Sequence, residues 1–165
     1  MAANVLRYAA GVQVFLVRHA DAIDETLVVR DLHRHLTAQG REQARALGDR
    51  MRWYDCAPTH VWSSPLVRAI QTAELVVAGL QATAAVEVVP ALAPDGAVRD
   101  VVASLQALAD DAAVLLVGHE PSLSAIGALL VENPEFEALT KAQAARIVDG
   151  VLRWRFAWDA ESPVS

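Results

Sequence analysis

Two stretches, VFLV at residues 14–17 and AVLLV at residues 113–117, are apolar at every position, and nothing else in the chain limits the fold as strongly. A strand with one wet face alternates apolar and polar residues, so an unbroken apolar run of this length reads as a strand buried on both faces. Such strands belong to parallel sheets with helices above and below. The intervening segments supply the helices. In LTAQGREQARALGDRMRW, residues 36–53, Ala44, Leu47 and Met51 recur at helical spacing, with Arg and Glu on the other side. THVWSS at 59–64 reads as a second buried strand. SSPLVRAIQTAELVVAGL reads as a helix opened by Ser64 as N-cap and Pro65 at the first helical position, with Leu66, Ile70, Ala73 and Val77 facing the core. VEVVP at 86–90 is a third strand, residues 97–109 a third helix, residues 112–119 a fourth strand and residues 122–131 a fourth helix.

Near the carboxyl end the pattern changes. Asp149-Gly150 separates two strand-like runs, which is a hairpin signal, so an antiparallel edge is expected. The reading is an α/β fold with a mostly parallel sheet covered on both faces. At 165 residues and 54% apolar content, the chain suits one domain spanning residues 1–165, with no repeats and no long linker.

Charge narrows the partners. A net charge of −6 and a pI near 5.3 argue against general binding to nucleic acid or to an anionic membrane, so an anion site must be a local concentration of Arg and His. One cysteine, Cys56, excludes an internal disulfide and a multi-cysteine metal cluster, and suits the cytoplasm. The amino-terminal stretch through Val17, followed by Ala20-Asp21-Ala22, superficially resembles a cleaved leader. Gly11 and Gln13 interrupt it, and Arg18-His19 stand where a leader rarely carries charge, so the residues are kept as part of the fold. No apolar run reaches the roughly 18 residues of a membrane span.

Charged residues follow three of the expected strands. Arg18 and His19 end the first, Arg68 lies in the first turn of the helix after the second, and His119 ends the fourth. The carboxyl ends of strands in an open α/β sheet face the ligand crevice. If these strands are neighbours, the four residues converge, and two guanidinium forks with two imidazoles form a cradle for phosphate. Helix starts near Pro65 and Glu120 are expected to add N–H donors.

LVRHADA resembles the Arg-His-Gly motif of the histidine phosphatase superfamily, with Ala20 where glycine is common; SSPLVRAIQTA resembles its second-arginine motif and LLVGHEPSLS its second-histidine motif. The likeness spans nearly the whole chain, and HLTAQGREQA and LAPDG are similar to the SixA-type phosphohistidine phosphatases within it. This resemblance implies a phosphoglycerate-mutase-like fold and a cofactor-independent phosphohydrolase. It implies that His19 attacks phosphorus in line to give a phosphohistidine, that Arg18, Arg68 and His119 hold the non-bridging oxygens, His119 as imidazolium, and that water releases the phosphate. Arg34 is a candidate for the pocket rim. Asp95, in the loop beyond the third strand, is a candidate general acid, although a Pro-Asp-Gly turn gives it an ordinary capping role as well.

Rival sites fail on spacing. His33 and His35 lack a third ligand, and His119-Glu120 lacks the second histidine of a zinc helix motif, so no metal is expected. A cysteine phosphatase needs arginine six residues beyond Cys56, and position 62 is Trp. Trp53, Trp62, Trp154 and Trp158 read as packing residues rather than as a base-stacking surface. The expected substrate is phosphohistidine on a protein, with a small phosphate ester or a non-catalytic phosphate-binding module as alternatives.

Overall fold

The computed structural model describes residues 11–161; the first ten residues of the leader-like stretch lie outside them. β1 (Gln13–Arg18), β2 (His60–Ser63), β3 (Val86–Val88), β4 (Ala113–Gly118), β5 (Gln143–Val148) and β6 (Val151–Ala157) form one sheet in the order β3-β2-β4-β1-β5-β6. The β3-β2, β2-β4 and β4-β1 pairs are parallel, whereas β1-β5 and β5-β6 are antiparallel. The expected parallel sheet with an antiparallel carboxy-terminal edge is present. Asp149 and Gly150 have φ of 51° and 72°, the conformation of a tight two-residue hairpin that Asp-Gly favours.

The unbroken apolar runs account for two cores. Phe15, Val17, Leu115 and Val117 face one side of the sheet, where Leu47, Met51, Ala73 and Val76 cover them from α1 (Ala38–Trp53) and α2 (Val67–Leu80). Val14, Leu16, Val114 and Leu116 face the other side, beneath Val101 and Leu105 of α3 (Val98–Gln106) and Leu123, Ile126 and Leu130 of α4 (Ser122–Leu130). Each of these strand side chains is at most 2% exposed. Truncating one, as in Leu116→Ala, would cost about 2–5 kcal/mol.

Three local expectations need correction. α2 begins at Val67 with Leu66 as its N-cap, two residues later than Ser64-Pro65 suggests; Ser64 Oγ instead accepts the Leu66 N–H at 3.3 Å. Its buried stripe is Ala69, Thr72, Ala73, Val76 and Leu80, so Ile70 and Val77 are only half-buried. The reason is the close approach of α1: a Cβ on Gly48 would lie 2.4 Å from the Val76 carbonyl oxygen, and one on Gly79 2.6 Å from that of Arg45. Small residues are needed at this contact, and larger apolar ones sit beside it. Trp53 is also not a packing residue. It ends α1 two positions beyond Met51, on the polar side, and is 79% exposed.

Candidate functional site

Register brings the three strand ends level. Arg18 pairs with Gly118 across β1 and β4, and Ser63 pairs with Val117 across β2 and β4. The ladder continues one step beyond the strands, with His19 N–H on the Gly118 carbonyl at 3.1 Å and Ser64 N–H on the Val117 carbonyl at 3.0 Å. His19, Ser64 and His119 therefore leave the sheet side by side. Arg68 reaches the same place from the first turn of α2.

His19 is the most constrained of the group. Its Nδ1 lies 2.8 Å from the Ala20 carbonyl oxygen, which can only accept, so Nδ1 carries the proton. Nε2 is then unprotonated, and it accepts a bond from Arg68 Nε at 3.4 Å. Burial pushes its pKa down to about 4; the Ala20 carbonyl opposes this, and the positive charges of Arg68 and Arg18 reinforce it. At neutral pH the ring presents a lone pair. Thr72, one turn beyond Arg68, donates to the Arg68 carbonyl at 2.7 Å and accepts the Ala20 N–H at 3.0 Å, locking the end of β1 to α2.

His119 stacks at an angle beside His19, with ring centroids 5.2 Å apart. Its Nε2 is 2.7 Å from Ser64 Oγ, and its buried Nδ1 has no partner among the described residues. Burial, then the neighbouring His19 and Arg68, pushes its pKa down to about 3. The expectation of an imidazolium therefore does not hold for the free pocket. A neutral ring whose Nε2 accepts the Ser64 hydroxyl still offers Nδ1–H, which suffices to bind one oxygen of an anion.

Arg18 donates through Nη1 to the Leu139 carbonyl at 3.0 Å, and its Nε is buried without a partner among the described residues. Glu120 supports that arrangement by accepting the Leu139 N–H at 3.0 Å. The same carboxylate accepts Ser124 N–H at 3.3 Å and Ser124 Oγ–H at 2.6 Å. One of the N–H donors expected to be open at the start of α4 is thus already used. Around the pocket, the unprotonated His19 Nε2 and the His119 Nδ1 meet the buried guanidinium of Arg68 and the half-buried one of Arg18. Such a constellation suits a tetrahedral dianion.

Arg34 reaches this region indirectly. Its Nε donates to the Ile23 carbonyl at 2.7 Å and its Nη1 to Asp31 Oδ1 at 3.0 Å. Asp31 in turn contacts Arg68, and nothing in the sequence analysis singled it out. Ser64 and Thr72 also escaped as site-supporting residues, although Thr72 lies one helical turn from Arg68 and that spacing was a usable signal. Asp95 is exposed in a turn at residues 94–95. Its side chain makes no hydrogen bond among the described residues, and Ala97, not Asp95, caps α3; the capping role is not observed. His33 and His35 are exposed on the first loop, and no group of three or more His, Cys, Asp or Glu side chains is arranged around a metal position among the described residues. Cys56 is buried and its thiol is pushed up to about 12, chiefly by burial. No helix among the described residues is long and apolar enough to cross a membrane.

Comparison with known proteins places the chain among phosphatases of one fold. Residues 14–93 match the family described as histidine phosphatase superfamily (branch 1), a span that holds Arg18, His19, Arg34 and Arg68. The phosphohistidine phosphatase SixA of Escherichia coli is 31% identical over 152 residues, covering 88% of this chain and 93% of that protein. A solved structure of the protein histidine phosphatase SixA complexed with tungstate superimposes with a TM-score of 0.81 at 31% identity, over 88% of this chain and 97% of that one. A phosphoserine phosphatase mutant from Entamoeba histolytica shares the fold at a TM-score of 0.68 and 14% identity, over 90% of this chain and 98% of that one.

Proposed function

Because this chain belongs to the histidine phosphatase superfamily and is a phosphatase, we propose that it dephosphorylates phosphohistidine on a protein through a phosphoryl intermediate on His19. The step transfers phosphorus from the substrate imidazole nitrogen to His19 Nε2: that bond forms as the substrate P–N bond breaks, and the substrate ring, protonated on its other nitrogen, departs as neutral imidazole with the bonding pair. Arg18, Arg68 and His119 Nδ1–H hold the non-bridging oxygens while charge redistributes. Water then attacks phosphorus, frees His19 and gives inorganic phosphate.

One observation carries the choice of leaving group. Asp31, the carboxyl that touches Arg68, is held ionised by its arginines; Glu120 is occupied by backbone and hydroxyl donors, and Asp95 stands exposed in its turn. None of these carboxyls is an evident proton donor for an alkoxide. Imidazole, whose conjugate acid has a pKa of about 6.5, needs far less help. The SixA relative, named for the same chemistry, supports the reading, and the first loop exposes two large apolar side chains, Leu27 at 96% and Val28 at 89%, that a protein substrate could cover.

The test compares kcat/KM for a phosphohistidine protein, an aryl phosphate, a sugar phosphate and 3-phosphoglycerate. The first two should be preferred, with Asp95→Asn leaving them within about twofold, because a good leaving group needs no general acid. Equal rates on the glycerate, lost selectively in Asp95→Asn, would make Asp95 the acid and a small phosphate ester the substrate.

A further inference from the structure

We propose that Asp31 is a positioning residue for phosphoryl transfer, holding the far end of the Arg68 guanidinium so that its Nε edge stays turned to His19. The inference rests on the role given above to His19 and Arg68. A guanidinium has two edges that can each grip a partner with two parallel N–H groups. Asp31 takes the terminal edge: Arg68 Nη1 lies 3.2 Å from Oδ1 and Nη2 lies 3.4 Å from Oδ2, and Nη1 also donates to the Asp31 main-chain carbonyl at 2.9 Å. That leaves the Nε edge facing His19 Nε2 at 3.4 Å, where the phosphoryl group would be received. The Arg68 side chain is 6% exposed, so once released at its far end it would be a buried cation without an anionic partner, free to turn.

Two alternative roles for Asp31 fit less well. A general acid must hold a proton near neutral pH. Partial burial works to raise the Asp31 pKa, but the hydrogen bond from Arg34 and the charge and hydrogen bond from Arg68 outweigh it and keep the carboxyl below its ordinary range. A purely structural role, pinning the first loop, is already filled. Ile23 N–H donates to the His35 carbonyl at 3.0 Å, Ala22 bridges Leu36, and Leu36 N–H reaches Gln71 Oε1 at 2.8 Å, so the loop base is held without Asp31. Arg34 Nη1 braces the same Oδ1 at 3.0 Å, giving that arginine a place in the same chain of contacts.

The experiment is a double-mutant cycle read on aryl phosphate hydrolysis. Asp31→Ala should lower kcat by about tenfold to a hundredfold with KM within about threefold, somewhat less than the loss from deleting a preorganised donor itself. In an Arg68→Ala background, the same change should alter kcat by less than about twofold, because a residue acting only through Arg68 has nothing left to position. A readout independent of turnover accompanies it. Orthovanadate, which adopts the geometry of the transferring phosphoryl group, should bind Asp31→Ala about tenfold more weakly, while inorganic phosphate binding stays within about threefold. Equal losses in both backgrounds, an Asp31→Ala kcat within twofold of wild type, equal weakening of both anions, or loss of the basic limb of the kcat pH profile would each overturn the proposal. A wild-type preference for sugar phosphates over phosphohistidine would sink the substrate reading alone and leave the cycle intact.

Discussion

Lowering the pH from 7 to 5 should remove about 4 kcal/mol of folding stability, chiefly through the two histidines of the pocket. His19 and His119 are 7% and 4% exposed, and their pKa values are pushed down to about 4 and about 3, in both cases mainly by burial. An unfolded chain holds histidine at about 6.5. Both folded values are depressed, so the fold favours the neutral rings; their contribution is complete above about pH 6.5 and is lost as pH falls, because the unfolded chain takes up protons that the folded chain does not. At pH 5, about 1.5 units below the unfolded value, each ring accounts for about 2 kcal/mol. The carboxylates Asp21 and Asp31 are shifted downward as well, and what they contribute is lost only below about pH 4, outside this window. Urea unfolding at the two pH values measures the effect, with an unchanged denaturant slope showing that the same surface is exposed. His19→Gln/His119→Gln should show less than about 1 kcal/mol of pH dependence over the same interval. A wild type equally stable at both values, or a double variant as pH-sensitive as wild type, would refute the reasoning.

His19→Ala should abolish turnover of aryl phosphate while inorganic phosphate still binds by calorimetry, since Arg18, Arg68 and His119 keep their donors; residual activity equal to wild type would remove His19 as nucleophile. Activity should survive exhaustive chelation, because two guanidinium groups and an imidazole N–H already neutralise the phosphoryl oxygens. Loss on chelation that zinc or magnesium restores would revive the His33-His35 pair.

The layer architecture was legible because β1 and β4 lie in the middle of the sheet. A strand covered on both faces has no polar position, and that signature survives in a single sequence. The four convergent residues were legible for a related reason: the carboxyl ends of adjacent parallel strands come level, so Arg18-His19 and His119 needed only neighbouring strands to meet. Asp31 was not legible. Its contact with Arg68 spans 37 positions and depends on the path of a loop, which hydrophobic periodicity does not describe. The α2 stripe was misread because apolarity was used as the sign of burial. At the Gly48–Gly79 contact, closeness selects small residues instead, and Thr72 is wholly buried with its hydroxyl bonded to the Arg68 carbonyl.

The depressed basicity of His19 bears on both halves of the proposed reaction. An imidazole with a pKa of about 4 is unprotonated across the physiological range, so no proton need be removed before Nε2 attacks. Low basicity also makes it the weaker nucleophile of two imidazoles, and transfer from a substrate histidine near 6.5 runs against that difference of about 2.5 units. The phosphoryl oxygens must offset it through interactions that strengthen as charge moves onto them, which is what the unpartnered Arg18 Nε and His119 Nδ1 are free to supply. What hinders formation of the intermediate favours its breakdown, because the less basic ring is the better leaving group when water attacks. The burial that lowers the pKa of His19 thus makes its phosphoryl intermediate the more labile of the two phosphohistidines, which speeds hydrolysis once the substrate ring has left.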